Sequence, residues 1–269
     1  MLKATTNNIY TLLVEDEDAR VCRDIPDEAC NEQPQAFVRQ LLALTFTKIG
    51  DALTSSRLVL AWMLASIGAP AILISMLVPL RESFSLLPQL LIAQRIREHR
   101  VRKWFWVAGS IAQAMALLAM IPALVYLPGA TGSLLIVLLL ALFSLARGVC
   151  SVAAKDVLGK TISKSRRGRL TGLAASISGL VTLSVAVLIW FAPEGAADTD
   201  RGVELFVLLL AGAALLWLCA SAIYAGIPEV PGATEGGGNA LTDAVKSLGL
   251  LYTDREFLHF VLARMLLVA

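Results

Sequence analysis

Four long apolar runs constrain this chain more than any other feature: Trp104–Tyr126, Ser133–Ala154, Leu170–Phe191 and Val203–Ala225. A helix needs about 20 mostly apolar residues to cross the roughly 30 Å hydrocarbon layer of a bilayer, and each run is that long. Turn or charged residues bound them: Pro128-Gly129, the cluster from Lys160 to Arg169, and the segment from Pro193 to Gly202. With 57% of its 269 residues apolar and 16% charged, the chain is too apolar for a soluble globule or a disordered segment. A formal net charge of +2 says little about partners. The placement of charges carries more information than their sum.

The stretch from Leu41 to His99 divides in two ways. Its most apolar part, Leu58–Leu80, ends at Arg81-Glu82 and would leave only Ser83–Ala93 for the return, which is too short to cross. A tight turn at Gly68-Ala69-Pro70 instead gives one helix from about Leu41 to Ile67 and another from about Pro70 to Ile96. This division puts Lys48, Asp51, Arg57, Arg81 and Glu82 at membrane depth, where charges are tolerated if they face other helices or a wet cavity. The expected fold is all-α, a polytopic membrane helical bundle of six spans.

Orientation follows from the basic residues outside the spans. Seventeen stand on one side and only Arg201 on the other, which places the amino terminus in the cytoplasm. Residues 1–40 read as an acidic cytoplasmic tail carrying Glu15-Asp16-Glu17-Asp18, unlike a secretory signal. Residues 41–226 form the six-helix bundle. Residues 227–256 read as a cytoplasmic linker with Pro228, Pro231 and Gly236-Gly237-Gly238, in which Leu241, Val245, Leu248 and Tyr252 mark a short amphipathic helix. Residues 257–269 are apolar but reach only about 20 Å. They read as the truncated start of a seventh span, with a C-terminal half of the same polypeptide missing.

Four segments carry a family resemblance: the turn Ser66-Ile67-Gly68-Ala69-Pro70-Ala71-Ile72-Leu73, the loop from Pro88-Gln89 through Gln94-Arg95 to Arg100-Val101-Arg102-Lys103, the mid-span pair Arg147-Gly148, and Ser165-Arg166-Arg167-Gly168-Arg169-Leu170-Thr171-Gly172. Together with the layout of six spans, linker and seventh start, they resemble the amino-terminal half of a major facilitator superfamily (MFS) transporter. The second loop departs from that pattern, since Gln94 stands near the position of the expected aspartate. The fifth span has Gly172, Ser176 and Gly179 but no glycine-proline pair, the signature linked in the family to antiporters. The resemblance implies an MFS-like 3+3 inverted-repeat half-transporter. It also implies secondary active transport of a small solute by alternating access, with Gln94, Arg95, Arg100 and Arg167 in the cytoplasmic gating loops, while Lys155 and Asp156 read as a local charge cluster with those basic loops. The expected setting is a bacterial inner membrane.

In repeat-built carriers, corresponding polar positions near the midplane point to the binding site. The three-plus-three division makes helices one and four equivalent, and Asp51 and Arg147 lie near their middles. An unpaired charge there costs about 2.5–3.5 kcal/mol on insertion scales, so partners or water are needed. Lys48, Asp51 and Ser55 share one helical face, which suggests a local ion pair plus a hydroxyl. Arg81 and Glu82 point about 100° apart and are expected to reach different neighbours. Arg147 has no acid in its own helical turn and offers a free anion-binding fork. Desolvation and a neighbouring cation shift a carboxylate's proton affinity in opposite senses, a competition that a proton-coupled carrier could use at Asp51 or Glu82. Gln89 and Gln113 are expected to act as interhelical glue or to line the pathway. The competing reading is a structural ion-pair network that holds helices one, two and four together without touching the solute.

The remaining polar residues point to no other class. Cys22, Cys30, Cys150 and Cys219 have no disulfide or zinc spacing, and His99 and His259 stand alone. No metal or cofactor is therefore expected. Trp104, Trp106 and Trp190 fit an interfacial belt. The basic loops fit topology and anionic lipid rather than nucleic acid. Expected partners are a small-molecule solute, membrane lipids and the missing half. No nucleophile with an oriented base is evident, so an enzyme is not expected. The alternatives are a non-transporting scaffold or receptor of the same fold, and a membrane-embedded enzyme using Asp51, Glu82 and Arg147.

Overall fold

Every apolar run is helical in the computed structural model, which describes residues 6, 9–11, 13, 25–127, 129–190, 199–232 and 254–268. Among the described residues the helices are α1 (Asp27–Leu53), α2 (Val59–Ser66), α3 (Ala71–Arg97), α4 (Lys103–Tyr126), α5 (Gly129–Thr161), α6 (Lys164–Trp190), α7 (Thr199–Ala225) and α8 (Arg255–Val268). Among the described residues four segments are long and apolar enough to cross a membrane: Lys103–Tyr126, Gly129–Thr161, Lys164–Leu188 and Val203–Ala225. The described part of the chain is all-helical, with these four as candidate membrane-spanning helices. The amphipathic helix expected near Leu241–Tyr252 and the acidic run Glu15–Asp18 lie outside the described residues.

The reversal falls at Gly68, as the length argument requires. Gly68 has φ 73°, the left-handed region glycine enters without steric cost, and Ala69 N–H closes the end of α2 on the Leu64 carbonyl at 3.0 Å. Arg81 and Glu82 are consequently in the body of α3 and not at a bend.

Two boundaries differ from the sequence reading. α1 starts at Asp27, well before Leu41. Its first part buries Ala29, Ala36 and Phe37 together with two amides, Gln33 donating to the Tyr10 hydroxyl (2.8 Å) and Gln40 to Thr161 Oγ1 (2.6 Å). The buried amides keep partners, so the face stays satisfied although it is not wholly apolar. The expected continuous helix from Leu41 to Ile67 is also broken, with α1 ending at Leu53 and α2 beginning at Val59. Thr54 Oγ1 bonds back to the Gly50 carbonyl at 2.9 Å, and the Thr54 carbonyl is taken by Arg81 Nη1 at 2.7 Å. A side chain that captures a ladder carbonyl interrupts a helix at that point. One cysteine also departs from expectation: Cys30 is disulfide-bonded, to a partner outside the described residues.

Two apolar cores divide the bundle along its length. One gathers Leu60, Leu77, Met120, Ile136, Phe143 and Trp217. The other gathers Phe37, Leu41, Trp106, Cys150, Leu170 and Tyr224. On α5 the first core reaches Phe143 and the second begins at Cys150, so Arg147 lies at their seam. Two helix–helix contacts in the cores depend on close approach at a glycine. Gly50 lets the Trp217 indole rest on α1, since a Cβ there would meet Nε1 at 3.1 Å. Gly109 on α4 receives Cys150 of α5, where a Cβ would lie 2.6 Å from Sγ and 3.1 Å from the Ala146 carbonyl. Gly109→Ala should destabilise the protein by about 1–3 kcal/mol through overpacking. Cys150→Ala in the same chain should recover part of that loss, measured as the thermal midpoint in detergent. An unchanged midpoint for the single variant would contradict this packing.

Candidate functional site

The break in α1 and the seam between the cores meet at Asp51. Trp217, seated against Gly50, packs edge-on against Phe143 with centroids 5.8 Å apart. The Arg81 guanidinium lies 5.6 Å from the Phe143 ring centroid, within cation–π range. Arg81 is thus held on three sides, by the ring, by the Thr54 carbonyl, and by Asp51 Oδ1 at 3.0 Å from Nη2. Arg147 Nη1 contacts the same Oδ1. One carboxylate oxygen therefore joins α1, α3 and α5.

The two arginines are not equivalent. Arg81 has a side chain 10% exposed, whereas that of Arg147 is 38% exposed. Among the described residues no donor reaches Asp51 Oδ2. Arg81 with its three contacts is an anchor, and Arg147 with one is a cation that can change partner.

Two cavities open at Asp51. A polar one of about 180 Å³ is lined by Asp51, Arg57, Arg81, Glu82 and Arg147 together with the hydroxyls of Ser55, Ser56 and Ser85. Three guanidiniums face two carboxylates there, a formal excess of one positive charge. A larger, open groove of about 660 Å³ lies between α1 and α6, its α6 side mostly exposed. Its walls are Lys48, Asp51 and Ala52 on one side and Ala175, Ser178, Gly179, Thr182, Leu183 and Ala186 on the other.

Several expected contacts are replaced. Lys48 and Asp51 form no ion pair among the described residues, because Asp51 turns to α3 and α5 while Lys48 lines the larger cavity. Arg147 is not the free fork expected, since the acid absent from its own helix comes from α1. Glu82 is exposed and lines the same polar cavity as Asp51, Arg81 and Arg147, with no ion pair among the described residues. Gln89 is not interhelical glue: its Nε2 donates to the Ser85 carbonyl of its own helix at 3.2 Å. Gln113 does cross between helices, donating to Cys150 Sγ at 3.3 Å. Trp106 is buried and stacked on Tyr224 at 3.9 Å, so it does not belong to a surface belt, while Trp104 is exposed.

The loop residues sort into specific contacts, among them one between Asp156 and the basic second loop. Asp156 accepts from Arg102 Nη1 at 3.1 Å. Arg167 caps the end of α5, donating to the Gly159 and Ile162 carbonyls at 2.9 Å each. Arg100 contributes its carbonyl, which accepts from Lys160 Nζ at 2.9 Å and from Gly232 N–H at 3.1 Å. Arg95 is exposed. Gln94 lies on α3, and its side chain falls outside the described residues.

Glu229, which sequence reasoning passed over, organises this end. Its side chain is fully buried. It accepts from the Arg102 and Lys103 backbone N–H groups at 2.9 and 2.7 Å and from Lys160 Nζ at 3.0 Å. A carboxylate at the first turn of α4 satisfies unpaired amides and faces the positive end of the helix dipole. The segment following α7 is thereby clasped to α4 and α5. A lone acid directly after Pro228, amid basic loops, was the available signal.

No family model matches the chain, and no curated protein or solved structure matches it.

Two outcomes test this geometry. In double-mutant cycles using Asp51→Ala with Arg81→Met or Arg147→Met, coupling should be on the order of 2 kcal/mol for Asp51–Arg81 and below about 1 kcal/mol for the more exposed Asp51–Arg147 pair. The reverse ranking would contradict the anchor assignment. Glu229→Ala should speed amide hydrogen exchange at Arg102 and Lys103 by about tenfold or more, since charge-assisted bonds contribute about 1.5–3 kcal/mol. Unchanged protection would contradict the clasp.

Proposed function

We propose that the chain forms a six-span unit of a secondary carrier that moves a small solute across a membrane by alternating access, with its amino terminus in the cytoplasm. In this reading α1 with α2, and α3, are the first two spans. They join the four candidate spans α4 to α7. The observation that carries it is the Asp51–Arg81–Arg147 cluster, a set of charges from three helices opening onto cavities at the seam between the two cores. A charge cluster that served only to hold helices together would be expected to exclude water.

The interrupted first span supports the same reading. Broken helices at mid-depth are tolerated where they border a cavity, and carriers use them to present backbone and hydroxyl groups to solute. Here the break supplies Ser55 and Ser56 to the polar cavity. Arg147, with a single carboxylate contact, is the group whose partner exchange would couple solute binding to helix movement. Asp51 and Glu82 are the carboxylates available to a coupling proton, and Gln89 sits on the same helix as Glu82, two turns on. The resemblance of the layout and basic loops to an MFS half belongs to this proposal, as does a bacterial inner membrane.

Labelling a cysteine at the cavity tests alternating access without knowledge of the solute. Ser55→Cys in reconstituted vesicles should react with a membrane-impermeant maleimide added on either side, because the cavity opens to each in turn. Reaction from one side only would favour a fixed scaffold over a carrier.

A further inference from the structure

The two cavities that share Asp51 differ in size and lining in a way that specifies a ligand. The smaller holds about 180 Å³, on the order of six water-sized volumes, which suits a head group and not a whole solute. It is lined by guanidiniums and hydroxyls with an excess of positive charge. The larger, at about 660 Å³, is an open groove whose α6 side is mostly exposed. Apart from Lys48, Asp51, Ser178 and Thr182, its walls are alanine, glycine and leucine. At the junction, Asp51 presents its carboxylate to Arg147, whose side chain remains 38% exposed.

We infer that the ligand is an amphipathic monoanion whose carboxylate-like head displaces Asp51 from Arg147 while its apolar tail occupies the cavity between α1 and α6. The inference rests on the carrier reading and specifies its solute. Arginine recognises a carboxylate as a planar fork, so Asp51 Oδ1 already occupies the position a ligand oxygen would take. Arg81 keeps its contacts with the Thr54 carbonyl and the Phe143 ring throughout, so the break in α1 survives the exchange. The tail lies along Ala52, Leu183 and Ala186 and covers apolar surface that α6 otherwise leaves exposed. A free acid and an anionic lipid share this chemistry.

Octanoate, acetate and octylammonium serve as probes, titrated calorimetrically against the full chain in phosphatidylcholine nanodiscs. Octanoate should bind at least tenfold more tightly than acetate or octylammonium. Arg147→Gln should weaken octanoate at least tenfold, whereas Asp51→Asn, which removes the competing carboxylate, should tighten it. Opposite signs for these two variants separate ligand competition from a structural ion pair, whose loss would weaken binding in both. Gly179→Leu fills the larger cavity where a Cβ meets nothing within 4 Å. It should weaken octanoate at least tenfold and leave acetate unchanged, and it does not depend on the ion cluster staying folded. Phosphatidylglycerol added to the nanodisc should compete with octanoate if the natural ligand is a lipid, and should leave it unaffected if it is a free acid. Preference for octylammonium, or equal weakening by Arg147→Gln and Asp51→Asn, would overturn the inference. Octanoate binding with this pattern but one-sided labelling at Ser55→Cys would remove the carrier reading and leave the binding site intact.

Discussion

A single carboxylate in the middle of the bundle must satisfy two guanidiniums from different helices, and the shape of the first third of the molecule follows from that. Arg81 is buried, and a buried guanidinium without partners costs several kcal/mol. It is satisfied by Asp51, by the Phe143 ring and by the Thr54 carbonyl. The last of these takes an acceptor from the helical ladder of α1. The helix stops at Leu53 and resumes at Val59, and the intervening hydroxyls become the lining of a cavity. Burial of one cation thus dictates the local backbone, and the backbone in turn supplies the polar surface.

The ends of the bundle are held differently. Around Glu229 the bonds are charge-assisted and go largely to backbone amides at the start of α4, a rigid arrangement. α6 is held mainly near its start, through Leu170 and Ala174 in the second core. Farther along it, Ile177, Leu180, Leu183, Val187 and Leu188 are exposed, as suits a helix facing lipid or another apolar surface. The larger cavity lies where α6 leaves α1. A helix anchored at one end and bordered by a cavity is the element of this bundle best able to move with little loss of packing.

The spans were legible in the sequence because continuous apolar length has one physical meaning in a chain this poor in charge. The Gly68 turn was legible for a related reason, since only that division leaves two helices long enough to matter. Asp51, Arg81 and Arg147 stood out because charge in an apolar run demands a partner. Which partner each finds was not legible. Helical spacing favoured Lys48 for Asp51, but that pairing lost to arginines from α3 and α5 that no local pattern relates to it. The start of α1 was obscured because Gln33 and Gln40, buried in long-range pairs with Tyr10 and Thr161, interrupt the apolar face of Ala29, Ala36 and Phe37 that periodicity detects. Glu229 escaped notice because its partners are mostly backbone amides, which no side-chain pattern encodes.

The central claim is that one carboxylate is shared by guanidiniums of α3 and α5. Solid-state NMR on the chain in bilayers, with 13C at the Asp51 carboxyl and 15N at arginine side chains, measures that sharing directly through dipolar coupling. Assignment by Arg81→Lys and Arg147→Lys should show two guanidiniums within about 4 Å of the carboxyl carbon's oxygens, the Arg81 coupling the stronger and less motionally averaged. A carboxyl carbon coupled to neither arginine would contradict the account of the break, the cavities and the site together.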